Sequence, residues 1–457
     1  MERGNKVLVV ILAISKELSA DAHANYHRLC AMNVRIIHVA DESSLQILEP
    51  EFKNSSCIID ALLGTGLDRN VEGMQALAIR KINELGAHVV AADVPSGLSA
   101  DTGLPLGVAV RAARTVTFGL PKLGLFVGQG PDYAGRVTVV DIGIPADAVA
   151  CVDSRVEMIE PATFSAHFAD RRRTSHKGDF GHAAIFAGSG GHLGAGYLAA
   201  LAALRAGCGL ATYCIPESAF ARFDARYPEI MCDPIPDDGK GYFSPEGIER
   251  AVNLSKKFDA VALGPAIGTD AETRAFVNAF LGELNTPAVI DADALNVLGI
   301  DSLRKRTAST ILTPHPGEMS RLEGITTAEV QADRLGVSQR LAARVNATVV
   351  LKGAATVVAT QDSTCAINPT GNPGMASAGM GDALTGIIAS FLAQGMDART
   401  ACTAAVYLHG LAGDMTAAEL GESAVIATDV IERLGRAIDD TVRSKDRTLV
   451  RPYFVRS

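Results

Sequence analysis

Near its C-terminal end the chain reads Gly371-Asn372-Pro373-Gly374-Met375-Ala376-Ser377-Ala378-Gly379-Met380-Gly381-Asp382-Ala383-Leu384-Thr385-Gly386. Glycines crowd this turn, so its backbone can approach a ligand closely and take up positive φ angles. The spacing that follows predicts a helix over Ala383 to Ala393. Its free N–H groups and positive dipole end would face the glycine turn, an arrangement that binds phosphate. Asp382 stands at the predicted helix entrance, beside such a phosphate. A carboxylate there suits taking a proton from an attacking hydroxyl. It equally suits capping the helix, a common role for Asp.

Five other loops have the composition of ligand loops, and they stand at the ends of predicted strands. They are Gly188-Ser189-Gly190-Gly191-His192-Leu193-Gly194-Ala195, Gly264-Pro265-Ala266-Ile267-Gly268, Asp291-Ala292-Asp293-Ala294-Leu295-Asn296, Thr313-Pro314-His315-Pro316-Gly317-Glu318 and Lys352-Gly353-Ala354-Ala355-Thr356. One such loop is a weak signal, but repeated placement at strand ends assembles one edge of a cleft. Lys352 and the turn amides beside it are placed to meet nucleotide phosphates, and the Gly379–Gly381 amides to hold a transferring group. Phosphoryl transfer relies on positioning and charge stabilisation, with little covalent work for the protein. Nucleotide phosphates carry Mg²⁺. No metal cage is visible, so the ion would sit on phosphates and water, with Asp291 and Asp293 as candidate helpers. Asp293 reads equally as a helix cap, and His315 as a ligand contact or a structural histidine.

The elements that must hold these loops alternate between strand and helix. In the first half the expected strands are Val7–Ile14, Val34–Val39, Cys57–Leu63, His88–Asp93, Thr115–Phe118 and Val137–Ile142, with helices over Leu18–Met32 and Gly73–Leu85. In the second half the expected strands are Ala183–Ala187, Leu210–Ile215, Ala260–Leu263, Ala288–Asp291, Ser309–Leu312 and Thr348–Leu351. Helices are expected there over Ala195–Ala206, Thr273–Leu284, Ala328–Val345, Ala383–Leu392, Thr400–Leu411 and Asp429–Ile438. Such alternation implies α/β architecture with parallel, doubly wound sheets. Ligand loops belong at the strand C-terminal ends, where Asp60–Leu67 and Asp93–Gly97 also lie. The polar, basic stretch Glu160–Lys177 reads as a linker, and the domains are expected at 1–155 and 156–457.

A length of 457 residues favours two domains. Aromatics make up 5% of the chain and Trp is absent, which points to close helix-on-sheet packing. A net charge of −9 argues against nucleic acid or an anionic membrane as partner, and leaves Arg171-Arg172-Arg173 as a solvated loop. The eight cysteines show no metal spacing and read as buried small hydrophobes in a reducing cytoplasm. Val7–Ile14, followed closely by Lys16-Glu17, reads as a first strand rather than a signal-peptide core. No segment approaches the length of a membrane span.

The motifs resemble, in order, those of the ADP-dependent NAD(P)H-hydrate dehydratases over about residues 170–440. The matching segments are His176-Lys177-Gly178-Asp179-Phe180-Gly181, Gly264–Gly268, Asp291–Asn296, His315–Glu318 and Gly371–Gly386. The resemblance implies a ribokinase-like fold and a repair reaction. ADP phosphorylates the hydroxyl of the S-epimer of hydrated NADH or NADPH, and phosphate then leaves to restore the dihydronicotinamide, with AMP as the other product. By that likeness Ala195, Gly268, His315 and Asp382 contact the hydrate, with Asp382 as base. Lys352, Gly353, Ala354, Ala355, Thr356 and Gly381 contact the nucleotide. The family usually has Thr where Met380 stands.

The first half resembles the NAD(P)H-hydrate epimerases, an incomplete Rossmann-like sheet here, through Asp60, the Gly64–Asn70 loop, Asp93, Ser96, Phe118–Lys122 and Val140–Pro145. The resemblance implies K⁺ on Asp60 and Ser96 and hydrate on Asp93. The family's Asn-Asn-Gly-Gly-Asp loop and first strand have no counterpart here. Epimerase activity is therefore expected to be lost, unless the start lies upstream of Met1. A sheet lacking a strand would leave an edge for another subunit, so a homo-oligomer is expected. The competing reading is a vitamin-precursor kinase of the same superfamily, which would release a stable phosphate ester.

Overall fold

The computed structural model describes residues 6–12, 20–32, 34–152, 154–168, 171–221, 227–443 and 454–456. Residues 13–19, which include part of the first expected strand and helix and the Lys16-Glu17 pair, lie outside that set. The described residues form two units, one running through Cys151 and including the strand Phe454–Arg456, the other running from Val152 to Arg443. Membership of that last strand in the first unit departs from the sequence boundary at 155/156. The stretch Glu160–Lys177, expected as a linker, belongs to the second unit; Ala169 and Asp170 within it are outside the described residues. Phe164 explains the difference: it is fully buried, with its ring 5.2 Å from that of Tyr407. Phe168 adds a second anchor, its ring 5.2 Å from that of Phe391, so two aromatics fasten a segment that reads as polar and basic overall.

In the first unit the strands are β1 (Leu8–Ile11), β2 (Arg35–His38), β3 (Ile58–Asp60), β4 (Val89–Ala92), β5 (Arg114–Phe118) and β6 (Arg136–Val140). β3, β4, β5 and β6 pair in that order, all parallel, and Phe454–Arg456 lies parallel to the outer edge of β6. β1 and β2 form a parallel pair of their own, Leu8 opposite Arg35. The single sheet expected here is therefore split in two. Helix Gly73–Glu84 buries Ala76, Ala78, Ile79 and Ile82, whereas helix Ala20–Ala31 buries none of its residues.

The second unit carries one mixed sheet. Its strands are β7 (Val156–Met158), β8 (His182–Phe186), β9 (Leu210–Pro216), β10 (Met231–Ile235), β11 (Ala260–Leu263), β12 (Ala288–Ile290), β13 (Thr310–Leu312), β14 (Thr348–Leu351), β15 (Val357–Ala359) and β16 (Cys365–Ile367). The spatial order is β10-β9-β8-β11-β12-β13-β14-β15-β16-β7. It is parallel from β10 to β14, and β15 runs antiparallel to both its neighbours. β7, β10, β15 and β16 escaped the sequence reading. All are short, and Pro234 inside β10 is tolerated because that strand is an edge.

Alternation along each strand feeds two cores. From β8, Ala183 and Ile185 face helices Gly194–Arg205, Met380–Ala393, Ala398–Leu420 and Ala427–Arg443, while Ala184 and Phe186 face the opposite layer. That second layer includes helices Ala271–Glu283 and Arg334–Val345. Fully burying each Val, Leu, Ile or Phe contributes about 1.5–3 kcal/mol, so these layers supply the stability that fixes the loops above them. On the first face a Cβ at Gly386 would overlap the carbonyl oxygen of Ala199, so Met380–Ala393 meets Gly194–Arg205 backbone to backbone. The helix expected over Ala328–Val345 is two. Asp333 (φ −138°, ψ 57°) leaves the helical region after Ala332 and caps Arg334–Val345 by accepting from Gly336 N. Cys208, Cys214, Cys365 and Cys402 are buried as expected, but Cys30, Cys57 and Cys151 are exposed.

Candidate active site

All five ligand loops follow strands, and those strands, β8, β11, β12, β13 and β14, are neighbours in the sheet. Their C-terminal ends therefore form one continuous rim. Several turns on the rim hold side chains in backbone states that L-residues avoid. Ala266 has φ 55°, Ala292 φ 51° and Ala355 φ 51°. Each such residue costs on the order of 1–3 kcal/mol, a strain that surrounding structure must hold in place and that clusters at functional sites. Gly264 is required where it stands, because a Cβ there would overlap the carbonyl oxygen of Asp291.

The helix that carries Asp382 begins earlier than the sequence indicated. It spans Met380–Ala393, with Gly379 (φ 87°) at the N-cap and no side-chain cap bond. Asp382 thus sits inside the first turn, its carboxylate accepts no hydrogen bond among the described residues, and it is not the cap. Burial first, and then the charges of Asp291 and Asp293, push its carboxyl up to about 6, while Lys352 pulls the other way. Met380 is buried in the core beneath.

Below Asp382 lies a buried charged network. Lys352 Nζ donates to Asp291 Oδ1 at 2.6 Å, and Thr385 Oγ1 donates to Asp291 Oδ2 at 2.7 Å. Lys352 also stands 3.9 Å from Glu318 Oε2. Burial pulls the ammonium down, but Asp291 and Glu318 outweigh it and leave Lys352 above its ordinary value. Glu318 is raised, first by burial. A Cβ at Gly381 would lie 3.3 Å from Lys352 Nζ, so the lysine head is beside the glycine turn. Both carboxylate oxygens of Asp291 thus each accept one hydrogen bond.

His315 is the N-cap of helix Pro316–Glu323. Its Nδ1 accepts from Gly317 N at 3.0 Å and Glu318 N at 3.3 Å, while Glu318 Oε2 accepts from His315 N at 2.8 Å. The proton is thereby assigned to Nε2, which lies 3.3 Å from Glu318 Oε1. A capping role is established by these bonds, and the half-exposed ring still borders the rim. Asp293 is not a cap: its Oδ2 accepts from Gly268 N at 3.0 Å, tying the β11 loop to the β12 loop. Lys352–Thr356 forms a tight turn between β14 and β15, where Thr356 Oγ1 donates to Gly353 O at 2.9 Å and Gly353 and Ala354 are exposed.

Ala195 occupies the first turn of Gly194–Arg205. Tyr213, unnoticed in the sequence, is the floor under that turn: it donates to Leu193 O at 3.1 Å, and a Cβ at Gly188 or Gly196 would overlap its ring or hydroxyl. Two further supports were missed. Asp237 accepts from Gly239 N and Gly241 N, and Gly241 O in turn accepts from Gly190 N. Asp414 accepts from Gly371 N at 3.0 Å and Asn372 Nδ2 at 2.9 Å, fastening the glycine segment to helix Ala398–Leu420. Thr385 had a signal: it is three residues past Asp382 and so on the same helix face.

Among the described residues no three His, Cys, Asp or Glu side chains are grouped to hold a metal. A divalent ion fits this rim as a passenger on nucleotide phosphates, completed by water. In the first unit Asp60 and Ser96 are brought together: Asp60 Oδ2 accepts from Ser96 N at 2.8 Å and Oδ1 from Ser96 Oγ at 2.6 Å. Burial raises the Asp60 carboxyl. With the nearby Leu63 carbonyl this is an oxygen donor set suited to a hard monovalent cation. Asp93 (φ 70°) pairs with Lys122 at 2.6 Å and accepts from Phe118 N at 3.1 Å.

Comparison with known proteins decides the family. The sequence model described as NAD(P)H-hydrate dehydratase matches residues 183–436, and the one described as YjeF-related protein N-terminus matches residues 1–124. A bifunctional NAD(P)H-hydrate repair enzyme from Moorella thermoacetica is 39% identical over 436 residues, 95% of this chain and 82% of that one. The chain belongs to the bifunctional NAD(P)H-hydrate repair enzymes. A second member of this repair family, from Escherichia coli, is 36% identical over 85% of this chain and 73% of its own. Among solved structures, an ADP/ATP-dependent NAD(P)H-hydrate dehydratase from Bacillus subtilis, co-crystallised with ATP and Mg²⁺, aligns with a TM-score of 0.55. It is 31% identical and covers 63% of this chain and 99% of its own. The family's ribokinase-like fold is thus that of the second unit. No helix among the described residues is long and apolar enough to cross a membrane.

Proposed function

We propose that this chain repairs hydrated NADH and NADPH, and that residues 156–457 act as the dehydratase on the S-epimer. The observation that carries this reading is Asp382. It is a carboxylate free of hydrogen bonds, raised to about 6, in the first turn behind Gly379–Gly381 and above the Asp291–Lys352 pair. ADP presents its terminal phosphoryl group to the helix N-terminus, its phosphates carrying Mg²⁺, which supplies charge neutralisation. Crystallisation of the Bacillus subtilis protein with ATP and Mg²⁺ supports the nucleotide assignment. Gly381 and the turn Lys352, Gly353, Ala354, Ala355 and Thr356 border the nucleotide. Ala195, Gly268 and the His315 ring border the hydrate. Asp382 takes the hydroxyl proton as the oxygen attacks phosphorus. Phosphate then departs, leaving reduced nicotinamide and AMP.

Residues 1–155 are proposed as the epimerase-like part, with K⁺ on Asp60 and Ser96 and the hydrate at Asp93. The split between β1–β2 and β3–β6 supports the expectation that this part adds no epimerase activity. The edge of β3, where Ile59 is 65% exposed, supports homo-oligomerisation in the reducing cytoplasm that eight free thiols suit. Sedimentation showing a monomer at micromolar concentration would remove the oligomer.

The test is incubation of the purified chain with both hydrate epimers of NADH, ADP and Mg²⁺, following reduced-nicotinamide absorbance. Fast recovery of the S fraction alone, then a slow spontaneous phase, is the expected result. Fast recovery of both epimers would restore the epimerase. A stable phosphate ester without absorbance recovery would replace the dehydratase reading with a kinase.

A further inference from the structure

The reaction just described removes two protons from its substrate. One leaves the hydroxyl as the phosphoryl group arrives. The other leaves the neighbouring ring carbon when phosphate departs and the double bond forms. A carboxylate that has taken the first proton cannot take the second until it discharges. The site must therefore offer a second acceptor, or wait for the first.

An inventory of oxygens and nitrogens narrows the choice. Asp291 has Oδ1 on Lys352 and Oδ2 on Thr385. Glu318 has Oε2 on the His315 amide and Oε1 facing His315 Nε2. His315 has Nδ1 occupied by two backbone N–H groups and its Nε2 proton directed at Glu318. Lys352 is a cation held by Asp291. Asp270, beside Gly268, makes no side-chain cap bond but is not among the charges that act on Asp382. Asp293 differs from all of these. Its Oδ2 accepts from Gly268 N, and its other oxygen carries no hydrogen bond among the described residues. Asp293 also lies close enough to Asp382 for its charge to raise that carboxyl. The strained turn at Ala292 (φ 51°, ψ −123°) aims it, and the bond to Gly268 fixes it against the loop that borders the hydrate.

We propose that Asp293 is the second proton acceptor of the site, taking the hydrogen from the ring carbon next to the phosphorylated one. The inference rests on the dehydratase reading. In this step the C–H bond breaks and its electron pair becomes the ring double bond. The C–O bond to phosphate breaks, with its pair leaving on phosphate, which takes up the proton that Asp382 accepted in the first step and so resets that carboxylate. The proton ends on Asp293 Oδ1 and passes to water. Asp382 and Asp293 thus divide the two proton removals between them, one acting on oxygen and one on carbon.

Asp293→Asn tests this in the full chain, because Asn keeps an acceptor for Gly268 N and loses the base. Single turnovers with the S-hydrate of NADH, ADP and Mg²⁺ are quenched for AMP and followed for absorbance. AMP should still appear, slowed far less than absorbance even though loss of the Asp293 charge lowers the Asp382 carboxyl, and its appearance reports a folded site. Reduced nicotinamide should lag by about 100-fold or more, the usual worth of a general base, with a phosphorylated hydrate accumulating. Asp293→Glu should restore part of the second step, and deuterium on the ring carbon should slow recovery without slowing AMP. AMP and absorbance falling together would overturn the proposal, assigning Asp293 to Mg²⁺ or to loop positioning. Neither falling would overturn it as well. Wild-type protein that makes AMP but never reduced nicotinamide would instead sink the dehydratase reading beneath it.

Discussion

Asp382→Asn is expected to lower turnover by about 100-fold or more while ADP binding, read by calorimetry, stays near wild type. The substitution keeps size and shape and removes only the ability to accept a proton. Near wild-type turnover in the Asn variant would end the assignment of Asp382 as base. The pH dependence gives an independent check. Burial and the neighbouring Asp291 and Asp293 place this carboxyl at about 6. The rate of AMP formation should then rise through about 6 and level off above it, a limb absent from the Asn variant. Stability moves the other way. The folded value lies above the ordinary 3.8, so the native state holds its proton longer than the unfolded chain. The stability contributed by this carboxyl is complete below 3.8 and is lost as pH rises through about 6. Above that pH, Asp382→Asn should be the more stable protein in urea unfolding.

Lys352→Met is expected to have the largest effect on stability, about 3–5 kcal/mol, because it leaves Asp291 and Glu318 buried without their cation. The lysine side chain is only 18% exposed and Asp291 1%, so water cannot replace it. Equilibrium denaturation of wild type and variant measures the difference. Lys352 is held above its ordinary 10.5, so its contribution is complete below that value and fades only as pH rises past the raised one. The gap should therefore be flat from pH 7 to 9 and close in stronger alkali. A loss below about 1 kcal/mol would mean the pair behaves as an exposed ion pair. Removal of the cation should also shift the Asp382 limb to higher pH, since Lys352 is the one group named here that lowers that carboxyl.

The strands under the site were legible because each is a short, nearly continuous apolar run flanked by glycine or proline loops. Ala260–Leu263 and Thr348–Leu351 coincide with the expected spans to the residue. The edge and antiparallel strands were not, since three residues such as Val357–Ala359 show no period. Site residues were legible where a motif marks the loop, as for Asp382, His315 and Lys352. What those residues do depends on partners distant in sequence. Asp291 meets Thr385 across 94 positions and Lys352 across 61, and no local pattern predicts either. Tyr213, Asp237 and Asp414 were silent for the same reason: each is an ordinary residue until the fold sets a glycine loop on top of it.

The contact between Gly386 and Ala199 bears on how a dinucleotide gets in. Two helices whose backbones touch cannot swing apart by side-chain adjustment, so the Asp382 helix is the stationary wall of the cleft. Whatever room a large substrate needs must come from the turns on the rim, above all Gly353–Thr356, where Gly353 and Ala354 are exposed. Turns move on nanosecond to microsecond scales, faster than helices repack. Admission and release would then be quick, and the pace of the cycle would be left to the chemistry on the wall that does not move.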